Sequence, residues 1–303
     1  MKFEVCILGS GSAVPTRTRT PTAQIINIQE NYLLADCAEG TQLQLRNQGI
    51  KLQRIDAVFI THLHGDHFYG LPGLISTLHL LGRTKPLLIV GPPGLEKIVM
   101  PMVDITGSNL RYQLSFKSTQ NKEKECVYEN KRIQVFSFPL LHKIATTGYL
   151  FAEKQKPRQY LPEVGAFYGI PKFWIDRIKA GEDYIDDEGL RVDNSKLTKD
   201  PLKAKSYAFC TDTAYYPEMV NNIMGVNLIY HESSFLEEDR KRADQTKHST
   251  ASDAAKIAKM AKANKLVLGH FSARYKDVSR FEEEAKEIFK NVQLAKDGLI
   301  LKV

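Results

Sequence analysis

The chain has 303 residues, of which 43% are hydrophobic and 25% charged, a composition that indicates one large globular domain or two small ones. No stretch approaches the roughly 20 apolar residues of a membrane helix, which argues against an integral membrane protein. The N-terminal sequence MKFEVCILGS has too short an apolar run for a signal peptide, so we expect a cytoplasmic protein. The net charge of +7 permits a polyanionic partner such as nucleic acid, although charge alone is weak support.

Apolar, β-branched runs predict strands, and amphipathic runs predict helices, along most of the chain. The predicted strands are 3–9, 23–28, 32–37, 55–60, 87–90, 133–138, 147–151, 207–211, 227–230 and 265–269. The predicted helices are 70–82, 250–263 and 279–290. Strands separated by helices, with a hairpin signal near the start, indicate an α/β fold in which a mixed sheet is covered by helices.

One long segment interrupts this alternation. Residues 152–205 contain no clear core strand, and the segment is far longer than an ordinary connection between elements. It opens with a basic run formed by Lys154, Lys156 and Arg158. We therefore interpret the chain as a single domain, 1–303, that carries this segment as a protruding insertion.

The motif THLHGDH follows the fourth predicted strand directly. In an extended backbone, alternate residues point to the same side, so His62 and His64 can hold one metal ion together. Gly65 permits a sharp turn that brings Asp66 and His67 towards a second metal ion. Imidazole and carboxylate are the ligands that zinc takes where thiolate is absent. Surface histidines that meet by chance are a poor explanation for such a dense cluster.

Polar residues follow four other predicted strands at the point where each strand ends. They are His142, Asp212, the pair His231-Glu232, and His270. The carboxyl ends of strands are where α/β sheets place their chemistry, so these residues can complete two metal sites. A single His at a strand end is more often a core residue, but four such ends beside the THLHGDH motif favour a metal centre.

The order HxHxDH, distant His, Asp and final His is similar to that of the metallo-β-lactamase superfamily, and the resemblance spans nearly the whole chain. It implies an αββα sandwich of two mixed sheets flanked by helices, with two Zn²⁺ ions at the sheet edge. It further implies one site made by His62, His64 and His142, a second made by Asp66, His67 and His270, and a bridge made by Asp212. Nitrogen and oxygen ligands also accept Mn²⁺ or other divalent ions.

Finer motifs resemble those of ribonuclease Z, one branch of that superfamily. They are LGSGSAVPT (8–16), DCAEGTQ (36–42), HESS (231–234), HST (248–250) and HFSARY (270–275). Ala38 and Ser234 stand where the family usually has Gly and Thr. The segment 152–205 lies where that family carries a flexible arm that grasps tRNA.

The resemblance to ribonuclease Z implies an endoribonuclease that removes the 3′ trailer from precursor tRNA. The products would be a tRNA with a 3′-hydroxyl and a trailer with a 5′-phosphate. It also implies a homodimer in which the arm of one subunit serves the active site of the other.

Three residues are the catalytic candidates under this resemblance. Asp66 would hold a metal ion and orient or deprotonate the attacking water. Glu232 would orient His248, which would donate a proton to the leaving 3′ oxygen. His248 has a plainer interpretation, because it precedes Ser249-Thr250, which can cap the helix that follows.

Substrate contacts are expected from basic and aromatic side chains. The candidates are Lys154, Lys156 and Arg158 in the arm, and Arg274 and Tyr275 beside His270. Lysine and arginine neutralise phosphates, so affinity should fall with added salt. A solvated charged surface is the alternative for the arm cations. The arm aromatics have two interpretations, stacking on RNA and a small local core: Phe167, Tyr168 and Trp174.

Two other functions remain open at this point. The same metal site could serve a small-molecule phosphodiesterase, arylsulfatase, thioesterase or lactamase. A non-catalytic RNA-binding module is the third possibility, and a missing metal ligand would favour it. The basic arm and the HST and HFSARY motifs favour the tRNA endonuclease over both.

Overall fold

The computed structural model describes residues 2–104 and 109–303. The chain divides into two compact units, which we call the main unit (Met1–Ala152 and Lys205–Val303) and the inserted unit (Glu153–Ala204). The inserted unit falls within the long segment that has no predicted core strand.

The strands fall into three groups along the described residues. The first group is β1 (Phe3–Gly9), β2 (Ala23–Ile28), β3 (Asn31–Ala35), β4 (Ile55–Phe59), β5 (Leu87–Gly91), β6 (Leu114–Ser118), β7 (Glu125–Glu129), β8 (Ile133–Leu140) and β9 (Thr146–Glu153). Four two-residue strands of the inserted unit follow: β10 (Gln159–Tyr160), β11 (Tyr184–Ile185), β12 (Arg191–Val192) and β13 (Thr198–Lys199). The last group is β14 (Ser206–Cys210), β15 (Leu228–Glu232), β16 (Lys265–Gly269), β17 (Val292–Leu294) and β18 (Ile300–Lys302).

These strands form two seven-stranded sheets in the main unit. The first sheet has the order β18-β1-β2-β3-β4-β5-β6, and the second has the order β17-β16-β15-β14-β9-β8-β7. Strands β3 to β6 are parallel, as are β14 to β17, whereas β1 pairs antiparallel with β18 and β2. Both sheets are therefore mixed, as the family resemblance predicts; the pattern of elements alone indicated only one.

Both faces of the first sheet are buried, as the side chains of β1 illustrate. Phe3, Val5 and Ile7 pack into the core between the two sheets. Cys6 and Leu8, which alternate with them, pack into a second core beneath helices. A strand buried on both faces needs apolar residues at nearly every position, which explains the sequence FEVCILG.

Helices cover the outer face of each sheet. The helices of the main unit are α1 (Thr41–Asn47), α2 (Gly65–Phe68), α3 (Leu71–Leu80), α4 (Leu95–Asp104), α8 (Arg240–Thr246), α9 (Ala251–Met260) and α10 (Ser279–Lys286). Those of the inserted unit are α5 (Pro162–Phe167), α6 (Ile175–Ala180) and α7 (Asn194–Leu197). Leu45, Leu74 and Val99 of α1, α3 and α4 belong to the outer core of the first sheet. Ile257 and Phe281 of α9 and α10 pack with the second sheet. The layer order is therefore helix, sheet, sheet, helix.

Every predicted strand and helix is present, with ends that differ by a few residues. The strands that the sequence did not reveal in the main unit are β6, β7, β17 and β18, and all four lie at sheet edges. Edge strands carry polar, partly exposed residues such as Lys117 and Glu125, so their hydrophobic pattern is weak. Helix α4 was not predicted because it contains Pro101, a residue that usually interrupts a helix. Among the described residues, no helix has both the length and the apolar character needed to cross a membrane.

The inserted unit has a small hydrophobic core of its own. Its buried members are Ile178, Tyr184, Val192 and Leu197. Tyr168 and Trp174 pack against this core, and the guanidinium of Arg177 lies 3.9 Å from the centre of the Trp174 ring. Phe167, in contrast, is 83% exposed. The local-core interpretation is therefore correct for Tyr168 and Trp174, while Phe167 stays available to a partner.

Candidate metal centre and catalytic site

The site is built at the carboxyl ends of strands from both sheets. The THLHGDH motif follows β4, His142 follows β8, Asp212 follows β14, and His270 follows β16. Helix α2 begins at Gly65, so the chain turns in the middle of the motif and redirects its second half. Strand ends place these side chains together because the strands of each sheet end at a common edge.

Asp212 lies between two groups of histidines. Its Oδ2 atom is 3.5 Å from Nε2 of His62 and 3.7 Å from Nε2 of His142. Its Oδ1 atom is 3.0 Å from Nε2 of His270 and 3.3 Å from Nε2 of His67. Each carboxylate oxygen thus faces a different group, which is the geometry that a bridging ligand requires.

The structure brings all seven predicted ligands together. The ligand atoms of one group lie within 4.8 Å of one another, and its members are His62, His64, His142 and Asp212. A second group meets the same distance and consists of Asp66, His67 and His270. A third, overlapping group consists of Asp212, Glu232, His248 and His270.

The donor set fits divalent metal ions. His67, His142 and His270 each have a buried Nε2 atom that makes no hydrogen bond to any described residue. The opposite ring nitrogen is occupied in each case: Nδ1 of His142, for example, donates to the backbone oxygen of Lys247 at 2.8 Å. A histidine that binds a metal through Nε2 usually has its Nδ1 atom hydrogen-bonded to another group, which fixes the orientation of the ring.

The electrostatics of the cluster also suit metal binding. Burial lowers the pKa of His62 well below its ordinary value and lowers that of His142 as well. Burial alone would raise the pKa of Asp212, but the charges of the neighbouring histidines hold it well below its usual range. Burial alone would also lower the pKa of His67, but the charges of Asp212 and Asp36 raise it well above its ordinary value. A metal ion would therefore have to displace a proton from the His67 ring, because metal ligands need neutral imidazoles and ionised carboxylates.

Asp36 supports the cluster from beneath, a role that the sequence did not assign. It is fully buried at the end of β3 and accepts hydrogen bonds from Nδ1 of His67 at 2.7 Å and from the backbone nitrogen of Thr61 at 2.9 Å. A carboxylate behind a ligating histidine fixes its tautomer and orientation. The DCAEGTQ motif marked this position, although nothing local in the sequence pairs it with His67.

Glu232 and His248 form a pair beside the metal ligands. Nδ1 of His248 donates to Oε1 of Glu232 at 2.7 Å. The backbone nitrogen of Thr213 and the hydroxyl of Ser234 also donate to the Glu232 carboxylate, each at 2.7 Å. Thr250 is the N-cap of α9, as the plainer interpretation of this segment expects, and His248 lies two residues before it in the cavity lining. A cavity of about 480 Å³ exposes the site and includes His64, Asp66, His142, Asp212, His248 and His270 in its lining.

Arg274 and Tyr275 are not among the residues that line this cavity. Arg274 donates to Asp239 at 3.1 Å, and the hydroxyl of Tyr275 donates to the same carboxylate. The Arg274 guanidinium also lies 5.5 Å from the ring centre of Phe235, a residue of the cavity lining. Asp239 therefore holds both side chains in this structure, and their contact with substrate stays a prediction.

The arm candidates lie apart from the metal ligands in the chain, within or at the start of the inserted unit. Nε of Arg158 donates to the hydroxyl of Thr198 at 2.6 Å, and its guanidinium pairs with Asp200. These contacts link the residue before β10 to its partner β13, so a phosphate bound by Arg158 would compete with Asp200 for its guanidinium.

The N-terminal loop forms another part of the cavity. Ser12 and Ala13 line it, and Asp297 fixes the loop from the far end of the chain. The carboxylate of Asp297 accepts hydrogen bonds from the backbone nitrogens of Ser10 at 2.9 Å and Thr20 at 2.8 Å. No sequence signal linked these positions, because they are separated by almost the whole chain.

Comparisons with known proteins show which family the chain belongs to. A family model described as anti-Pycsar protein Apyc1 matches residues 3–136, less than half of the chain. A protein named ribonuclease Z from Bacteroides fragilis is 43% identical over 300 residues, which cover 99% of both chains. Another from Bacteroides thetaiotaomicron is 42% identical over 302 residues, which cover 100% of this chain and 96% of the relative.

Solved structures agree with these relatives. The short form of human tRNase Z aligns with a TM-score of 0.71 at 25% identity and covers 99% of both chains. YhfI of Bacillus subtilis, a metallo-β-lactamase-fold protein, aligns with a TM-score of 0.71 at 16% identity over 100% of both chains, which shows the fold alone. Both relatives are named ribonuclease Z and are more than 40% identical to this chain over nearly its full length, and the chain also has the His and Asp cluster. The chain belongs to the ribonuclease Z family of metal-dependent endoribonucleases with the metallo-β-lactamase fold.

Proposed function

We propose that this chain is a zinc-dependent endoribonuclease that removes the 3′ trailer from precursor tRNA, leaving a 3′-hydroxyl on the tRNA and a 5′-phosphate on the trailer. The observation that carries the proposal is the position of Asp212, whose two oxygens face different histidine groups in a cavity that also contains His248. The human structural neighbour is named as a tRNase, which supports tRNA as the substrate class.

The proposed cofactor is a pair of Zn²⁺ ions. The first would be held by His62, His64 and His142, the second by Asp66, His67 and His270, and both by Asp212. A set of imidazoles and carboxylates without thiolate suits zinc and also admits Mn²⁺. Bound divalent ions supply Lewis-acid charge that activates water and neutralises the phosphate oxygens.

The chain's own residues supply the proton transfers. Burial alone would raise the pKa of Asp66, but its contact with His67 lowers that pKa to about 2, so the carboxylate is ionised at neutral pH and would hold a metal ion and orient the attacking water. Burial alone would lower the pKa of His248, yet Glu232 raises it to about 9, so the ring keeps its proton. With Nδ1 bonded to Glu232, the other ring nitrogen of His248 remains to protonate the leaving 3′ oxygen.

The inserted unit is proposed to bind tRNA away from the scissile bond. Lys154, Lys156 and Arg158 would neutralise backbone phosphates, and the exposed ring of Phe167 would offer a stacking surface. We also propose a homodimer in which the inserted unit of one subunit serves the cavity of the other.

The decisive experiment is cleavage of end-labelled precursor tRNA with a 3′ trailer, with and without chelator. We expect one cut at the trailer junction, a 3′-hydroxyl on the tRNA product, loss of activity in chelator, and recovery on addition of Zn²⁺. A protein that holds metal and splits a simple phosphodiester, but leaves the precursor intact, would instead be a small-molecule phosphodiesterase.

A further inference from the structure

Two basic side chains line the catalytic cavity and have no role in the site described above. Lys143 and Arg242 are both exposed in the cavity lining. Within residues 2–104 and 109–303, neither forms an ion pair with an acidic side chain. Arg242 helps to lower the pKa of Asp239, but that carboxylate is already bonded to Tyr275 and Arg274. Both cations are therefore available to an anion that enters the cavity.

Helix α8 sets the position of Arg242. Ala243 is buried and anchors the helix, and the backbone nitrogen of His248 bonds to its oxygen at 3.0 Å. Arg242 and Thr246 are four residues apart, lie on one helix face, and both line the cavity. The neighbouring Lys241 is exposed but does not line the cavity.

The loop that carries Lys143 is tied to the end of α8. Nδ1 of His142 donates to the backbone oxygen of Lys247 at 2.8 Å, one residue before His248. Lys143 and Arg242 thus belong to one continuous wall, which we call the basic wall and which adjoins His248.

A different part of the lining carries no charge. Ser12, Ala13 and Ser272 line the cavity where the N-terminal loop meets the segment after β16, and the nitrogen of Ser12 bonds to the oxygen of Phe271 at 3.1 Å. Among the residues that line the cavity, lysine and arginine thus lie on the side of Lys143 and Arg242. Arg19 of the N-terminal loop does not line the cavity, and its guanidinium is bonded to the backbone oxygens of Ser272 at 3.3 Å and Tyr275 at 2.7 Å.

We propose that the basic wall is a phosphate subsite for the RNA strand on the 5′ side of the scissile bond, that is, for the last nucleotides of the tRNA portion. This inference rests on the proposed function. If His248 protonates the leaving 3′ oxygen, the nucleotide that bears this oxygen lies next to His248. The phosphates that precede it along the strand then lie against Lys143 and Arg242, whose charges neutralise them.

A charge series at Arg242 tests the subsite. We expect KM for precursor tRNA to rise about fivefold in Arg242→Ala and more in Arg242→Glu, with Arg242→Lys close to wild type. Lys143→Ala should behave as Arg242→Ala does. Lys241→Ala is the matched control, since it removes the same charge from the same helix outside the cavity. Metal content and thermal unfolding, measured for every variant, separate a lost contact from a damaged fold.

The polarity of the strand is tested with single methylphosphonate linkages, which are uncharged. A neutral linkage placed 5′ of the cleavage site should weaken cleavage by the wild type but cause little further loss in Arg242→Ala. A neutral linkage in the trailer should reduce cleavage by both proteins by the same factor. The reverse pattern would place the basic wall on the trailer side and would overturn the proposal. An equal rise in KM in Lys241→Ala and Arg242→Ala would also overturn it, because the effect would then come from general surface charge. Failure of the wild type to cleave any precursor would instead refute the proposed function itself.

Discussion

Glu232 and His248 are joined by a 2.7 Å hydrogen bond, although the chain between them includes all of α8. The carboxylate is fully buried, and it also accepts from Thr213 and Ser234. These contacts occupy both of its oxygens, so Glu232 is fixed as a partner of the imidazole. The pair is therefore built to keep a proton on His248, and this is the basis for the first prediction.

Replacing Glu232 by Gln should move the alkaline limb of the pH profile to lower pH. His248 must carry a proton to act as an acid, so activity falls as the pH rises through its pKa. Burial favours the neutral ring, and the Glu232 charge opposes this and raises the pKa to about 9. Without that charge, the limb of kcat/KM against pH should shift down by about one unit or more. An unchanged limb would exclude His248 as the acid, and His248→Ala should remove the limb entirely.

Ser234 links this pair to His270, a proposed metal ligand. Its hydroxyl donates to Glu232 at 2.7 Å and lies 3.0 Å from Nδ1 of His270, which can donate to it. Ser234→Ala removes both contacts, so we expect weaker metal binding, by roughly 10-fold, as well as lower activity. Ser234→Thr keeps the hydroxyl and should restore both quantities. Equal metal affinity in all three proteins, measured by competition with a chelating dye, would mean that Ser234 only fills space.

The sequence pattern was sufficient to predict the histidines and aspartates that the structure brings together, because they lie at or soon after the ends of apolar strands. The backbone at these positions was not predictable. Asp36, Asp212 and His270 have φ values of 54°, 52° and 60°, a left-handed conformation that Asp and His adopt only occasionally. Such strain is typical of functional sites, where the surrounding structure imposes it.

The other contacts that could not be predicted from the sequence are long-range hydrogen bonds. Asp297 fixes a loop almost 300 residues away, at Ser10, and Asp36 reaches His67 from the end of another strand. The hydrophobic periodicity of the sequence carries no signal for two residues that are hydrogen-bonded but far apart in the chain. The bond of Arg274 to Asp239 is another pair of this kind, and the substrate contact expected of Arg274 stays a prediction.

Asp212→Ala should lower bound metal and abolish turnover together. Among the described residues, Asp212 is the carboxylate that faces both histidine groups, so its loss weakens both proposed sites and leaves the histidines with less compensating charge. We expect kcat to fall by more than about 100-fold and metal per chain, measured by elemental analysis, to fall in parallel. Asp56→Ala is the control, because Asp56 pairs with Lys85 outside the cluster. Normal turnover with a full metal complement would refute the bridging assignment.

Removing the inserted unit should separate tRNA recognition from chemistry. Ala152 of β9 pairs directly with Ser206 of β14, so a short glycine linker can join the strands once Glu153–Ala204 is deleted. The metal ligands all belong to the main unit, and cleavage of a small chromogenic phosphodiester should persist. Cleavage of precursor tRNA should fall by roughly 10-fold or more, and the remaining activity should depend less steeply on salt, because the phosphate contacts of Lys154 and Lys156 are gone. Equal loss on both substrates, in a variant that retains its metal and its cooperative unfolding, would show that the inserted unit supports the cavity and does not bind RNA.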